Sequence, residues 1–194
     1  MPLETFVSHT LYDLDKFEDF PKTYQSFIKL LNKNPPKPVD TFIGFSKLKL
    51  PSLLQKETKT KIGDIEFYES VPKLEEFEQF KGHIATKLMN GGESVALKSM
   101  TIYVSDSKKV SQFQKPQTNP TALTPDTTAL SPHLKFGSLS IRTLFWTIQA
   151  IYDKSKHTQP PESLHGQLYF REYFYLMGHK SSEFDRMIGN EHCK

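Results

Sequence analysis

This sequence is short of the features that most readily disclose an activity. It has one cysteine, Cys193, so no disulfide can form within the chain, and a reducing compartment is expected. No apolar run approaches the ~18 residues of a membrane span, and the first ten residues, MPLETFVSHT, have neither the basic start nor the apolar centre of a secretory signal. A soluble, intracellular protein with no membrane partner is expected. Charge is modest too: 25 Lys and Arg against 22 Asp and Glu leave +3. That is far below the excess of a dedicated nucleic-acid binder, so charge alone assigns no such partner.

Catalytic signatures are equally scarce. The seven histidines, at 9, 83, 133, 157, 165, 179 and 192, never fall into HExxH or another paired metal-ligand spacing. No GxSxG, P-loop or GxGxxG occurs. Neither a metal centre nor a hydrolase triad is expected, and no residue is assigned as catalytic.

What the chain does have is enough length, 194 residues, for one domain with a core. Its organisation is uneven. Hydrophobic residues make up only 37%, and most of the 13 prolines lie in the first two thirds, so the middle is expected to be too polar to fold by itself.

The run TFVSHTLY, residues 5–12, alternates as a short strand would, with Phe6 and Val7 at its apolar centre. In TYQSFIKLL, Tyr24, Phe27, Ile28 and Leu31 recur at helical spacing behind a Thr23 cap, and NPPKP ends the helix. From about Pro36 to Lys81 no period is sustained. That stretch reads as a long connection draped over something larger, with a turn of helix in KLEEFEQF.

In GGESVALKSMTIYV the paired glycines precede a helix in which Val95, Lys98, Ser99 and Ile102 share one face and Leu97, Met100, Thr101 and Val104 the next. SQFQKPQTNPTALTPD demands an extended loop. Ile141, Leu144, Phe145, Ile148, Ile151 and Tyr152 then form a clean apolar stripe, so residues 139–154 should be a helix that HTQPPESLHG breaks. A last helix spans about Leu164 to Met177, with Gln167, Phe170, Arg171 and Phe174 on one face and Leu168 and Tyr175 on the opposite one.

Two groups of residues suit a ligand. Thr127, Thr128 and Ser131 put hydroxyls just ahead of helical sequence, where they can serve a phosphate or simply cap the helix. Arg171, set among aromatics in GQLYFREYFY, needs a carboxylate or ligand oxygen if buried, or else lies at the surface with its stem over apolar neighbours. Gln167, one turn earlier, tips the reading toward a polar site.

TTALSPHLKFGSLSIR, QPPESLHGQLYFREYFY and FDRMIGNEHC together resemble the photolyase/cryptochrome family, most closely the branch of animal cryptochromes and (6-4) photolyases. GGESVAL, FQKPQT and VSHTLYD with PKTY extend the resemblance in order over nearly the whole chain. It implies a mainly α fold: the N-terminal part of that family's helical FAD-binding domain, preceded by the last strand and helix of an α/β domain and a long connector. On this reading residues 1–40 are the α/β remnant, 41–85 the connector and 86–194 the partial FAD-binding domain.

By the same resemblance, FAD is the implied cofactor, held by Thr127, Thr128, Leu130 and Ser131 with Gln167 and Arg171, while Gln167 and Phe170 face the substrate. The family usually has tryptophan where this chain has Phe170, which keeps a stacking face and loses the indole N–H. The chain is expected to be a fragment, holding FAD weakly or not at all by itself, because its apolar helix faces lack partners. The implied parent is a light-driven (6-4) photolyase acting on damaged DNA. The alternatives are a cryptochrome that senses blue light or binds clock proteins without repair, and a truncated copy without function. A monomer in the nucleus and cytoplasm is the corresponding expectation.

Overall fold

The computed structural model describes residues 9–18, 21–38, 90–115, 127–181, 183–184 and 186–189. Residues 1–40 and 91–194 belong to one compact unit and 41–90 to a second. All that follows concerns the first. The turn of helix expected in KLEEFEQF, most of the long connection and most of the SQFQKPQTNPTALTPD loop lie outside the described residues.

Among the described residues the unit is helical. A 3-10 turn, Leu14–Lys16, precedes α1 (Tyr24–Leu31), α2 (Glu93–Ser105), α3 (Ser107–Ser111), α4 (Ser131–Lys135), α5 (Ile141–Tyr152) and α6 (Leu164–Lys180). The mainly α character implied by the sequence is what the structure has.

α5 is the centre of the packing. The Ser140 hydroxyl accepts the Thr143 N–H at its start, and Ile141, Leu144, Phe145, Ile148 and Tyr152 are buried along one stripe. Such burial contributes roughly 1.5–3 kcal/mol per large apolar side chain. α2, α3 and α6 all pack against it. α1 packs on α6 in turn, seating Phe27 against Tyr173 with ring centroids 5.5 Å apart. The start of α1 is closed by a capping box in which Thr23 accepts the Ser26 N–H and Ser26 accepts that of Thr23.

α2 forms where the sequence puts it, and its buried face combines Met100, from the second of the two faces read there, with Ala96 and Tyr103. Ala96, Met100 and Tyr103 are buried, whereas Ile102 is 63% exposed and Leu97 is exposed as well. Apolar residues surround this helix on several sides, so their period does not select a face.

Of the strand expected over residues 5–12, residues 5–8 lie outside the described ones, and 9–12 run as irregular chain. Several backbone groups of these four residues are bonded by side chains. Arg171 donates to the His9 carbonyl at 2.7 Å, and Arg142 Nε donates to that of Thr10 at 3.3 Å. Glu172 accepts the N–H groups of Leu11 and Tyr12 at 2.7 and 3.4 Å. The Leu11 carbonyl takes the N–H of Lys37 at 2.8 Å. The segment is thereby fastened across α5 and α6 by three charged side chains.

Candidate functional site

Where residues 9–15 meet the C-terminal half of α6 and the end of α4, they enclose an open cavity of about 1040 Å³. Ser131 and Arg171 both line it, together with Leu134, Lys135, Phe174, Tyr175 and Phe184. Lys37, His9, Asp13, Asp15 and His179 complete the polar part of its wall. A mostly apolar hollow with a few converging polar groups is the form that small-ligand sites take.

Arg171 is tied into this wall by two hydrogen bonds and a ring contact. Its Nη1 donates to the His9 carbonyl and, at 2.8 Å, to Glu172 Oε1. Its guanidinium carbon lies 4.4 Å from the centre of the Tyr175 ring, a cation–π contact. The side chain is 18% exposed, while its partner Glu172 is wholly buried. Burial pushes the Glu172 carboxyl up to about 7; Arg171 and the Leu11 and Tyr12 N–H groups work against that rise. At the rim, His179 Nε2 and Asp15 Oδ1 are 2.9 Å apart.

The hydroxyl run is folded on itself. Thr127 Oγ1 accepts the Ala129 N–H at 3.4 Å and Thr128 Oγ1 that of Leu130 at 3.3 Å, two successive hydroxyl turns. Between them Ala129 is left-handed, with φ +53°. The outcome is that Leu130 is fully buried as a core residue while Ser131, first in α4, reaches the cavity. The two threonines do not line it.

Gln167 and Phe170 are placed elsewhere on α6. Gln167 Nε2 donates to the Pro161 carbonyl at 3.2 Å. Phe170 stacks on Tyr24, with centroids 3.8 Å apart and ring planes 9° from parallel. Neither lines the large cavity. Of the six residues singled out as cofactor contacts, the cavity therefore brings together Ser131 and Arg171.

Sequence reasoning passed over Glu172 and Arg142, both nearly or wholly buried. Their charge reads as surface in any pattern based on hydropathy. The available clue was adjacency: Glu172 follows an arginine within an aromatic run. His165 was likewise not singled out. It is stacked on Phe145 at 4.1 Å, and burial holds its pKa down at about 4, with its bond to the Phe145 carbonyl acting in the opposite sense.

The arrangement of cations, hydroxyl-bearing residues and aromatic rings suits an anion with a planar ring system. A flavin dinucleotide has both parts, its diphosphate matching Arg171, Lys135 and Lys37 and its rings matching Phe174 and Tyr175. Each threonine hydroxyl uses a lone pair in its turn and retains its proton for donation. The residues present thus fit part of such a group.

No family model matches the chain. It is 40% identical over 200 residues to the (6-4)DNA photolyase of Oryza sativa subsp. japonica, which covers 97% of this chain and 33% of that protein. It is 40% identical over 196 residues to the (6-4)DNA photolyase of Arabidopsis thaliana, covering 97% of this chain and 34% of the relative. Cryptochrome-1 of Gallus gallus is 35% identical over 195 residues, 96% of this chain and 30% of that protein. The chain spans about a third of the length of these relatives.

Proposed function

We propose that this chain, related over nearly its whole length to part of the photolyase/cryptochrome family, forms part of an FAD site at the cavity shared by Ser131 and Arg171. The sharing of one cavity by these two residues, 40 positions apart in the sequence, carries the reading. Arg171 and Lys135 would balance the dinucleotide's negative charge, and Ser131 would donate to a phosphate oxygen. Bound FAD would supply absorption of blue light and transfer of electrons. The chain's own residues bind and orient it, and Phe174 and Tyr175 restrict water on one side.

The activity proposed for a longer parent is repair of (6-4) lesions in DNA, after the photolyase relatives. A second reading, a cryptochrome-like photoreceptor or clock regulator without repair, is favoured by one observation. Phe170 has no ring N–H to donate, and one face of its ring is covered by Tyr24. On either reading the protein acts as a monomer in the nucleus and cytoplasm, with damaged DNA or clock proteins as partners.

A graft tests the flavin proposal. Replacing the matching third of the Arabidopsis thaliana photolyase with this chain should yield a folded chimera that retains FAD. A folded chimera that purifies without flavin, and cannot be loaded with it, contradicts the proposal.

A further inference from the structure

The two oxygens of the Glu172 carboxylate have different duties. Oε1 accepts from Arg171 Nη1 at 2.8 Å, and Oε2 accepts from the backbone N–H groups of Leu11 and Tyr12. Both walls of the large cavity depend on these bonds. Residues 9–15 form one wall, and the side chains of Arg171, Phe174 and Tyr175 on α6 form the other. Arg171 Nη1 also reaches the His9 carbonyl, so guanidinium, carboxylate and segment close a ring of hydrogen bonds. A wholly buried carboxylate is a costly choice for a merely structural link, since an apolar core would hold the same elements without it.

We propose that Glu172 is a positioning residue: it sets the Arg171 guanidinium and the backbone of residues 9–12 as one unit, so that Arg171 faces the cavity in a fixed orientation. The proposal rests on the flavin reading of that cavity for its purpose, though not for its geometry. With Nη1 engaged by Glu172 and His9, and the guanidinium carbon 4.4 Å from the centre of the Tyr175 ring, the group is held at several points. A ligand anion then meets donors that need no reordering, which is how preorganisation raises affinity. The charged and titratable groups that act on Glu172 are Arg171 on its own helix and Tyr12 on the fastened segment, while Arg142 on α5 bonds the neighbouring Thr10 carbonyl.

NMR titration of the wild-type chain against pH, without ligand, gives the first test. The amide signals of Leu11 and Tyr12 and the guanidinium signals of Arg171 should shift with one common midpoint, and Glu172→Gln should abolish that titration. Separate midpoints, or persistence of the titration in the variant, would overturn the proposal. The second test adds FAD. Affinity should fall about tenfold in Glu172→Gln, the scale of one lost charge-assisted hydrogen bond, and equal affinity of variant and wild type also overturns the proposal. Because the chain alone is expected to hold FAD weakly or not at all, this comparison is made in the Arabidopsis thaliana photolyase chimera; should the folded chimera take up no FAD, the flavin reading fails alone, and the first titration still decides the role of Glu172.

Discussion

A carboxylate oxygen of Glu172 accepts the backbone N–H of Leu11 at 2.7 Å, joining residues 161 positions apart inside the core. The bond occupies the place a strand partner would have taken. Removing the carboxylate takes the acceptor from two buried N–H groups and the charged partner from Arg171, which keeps the His9 carbonyl. Glu172→Ala is therefore expected to lower stability by about 3–5 kcal/mol, the range for breaking a buried charged pair. Urea denaturation of variant and wild type measures it, and a loss below ~1 kcal/mol would show the bonds to be dispensable.

The pH dependence of stability should be flatter than either buried group alone would make it. Glu172 is raised from 4.5 to about 7, so its contribution is complete below the lower value and lost as pH rises through the upper one. His165 is lowered from 6.5 to about 4, so its contribution is complete above 6.5 and lost as pH falls through about 4. Each displacement corresponds to roughly 3 kcal/mol at ~1.4 kcal/mol per pH unit, and the two have opposite sign. Denaturation midpoints between pH 4.5 and 6.5 should rise with pH in Glu172→Gln and fall with pH in His165→Gln. Parallel slopes in the two variants would contradict this assignment.

The stack of Phe170 on Tyr24 joins α6 to α1. A double-mutant cycle with Tyr24→Leu and Phe170→Leu should give a coupling of about 0.5–1.5 kcal/mol, as face-to-face aromatic pairs do. Phe170→Trp should keep that coupling, since indole also stacks. Additive single effects would show that the rings merely adjoin.

Gly166, in the first turn of α6, lies so close to the Pro160–Pro161 loop that a Cβ there would collide with the Pro161 carbonyl. Backbone on both sides leaves no side chain to move away. Gly166→Ala should cost about 1–3 kcal/mol, whereas Gly91→Ala, with nothing within 4 Å of the added carbon, should stay within about 0.5 kcal/mol. Thermal unfolding of both variants checks the contrast.

These residues also mark what hydropathy could and could not disclose. α1 and α5 were legible because each carries a long apolar stripe, even with Arg142 buried beside that of α5, and each begins at a hydroxyl cap, Thr23 and Ser140. On α6 the buried side includes Glu172 and His165, so a pattern that counts charge as surface divides the helix wrongly. The irregular course of residues 9–12 could not be read locally, since its cause lies in side chains more than 130 positions away. Ser131 and Arg171 were legible as polar residues set against apolar neighbours. The turn that buries Leu130 and carries Thr127 and Thr128 off the cavity depends on the left-handed Ala129, which no residue type at that position announces.

An NMR titration of this chain with FAD, ADP and riboflavin addresses the flavin proposal most directly. The signals of Ser131 and Arg171 should shift with weak, saturable dependence on FAD and on ADP, and far less with riboflavin, which has no phosphate. Shifts with FAD that are confined to residues outside their cavity, or a folded photolyase chimera that takes up no flavin, would contradict it.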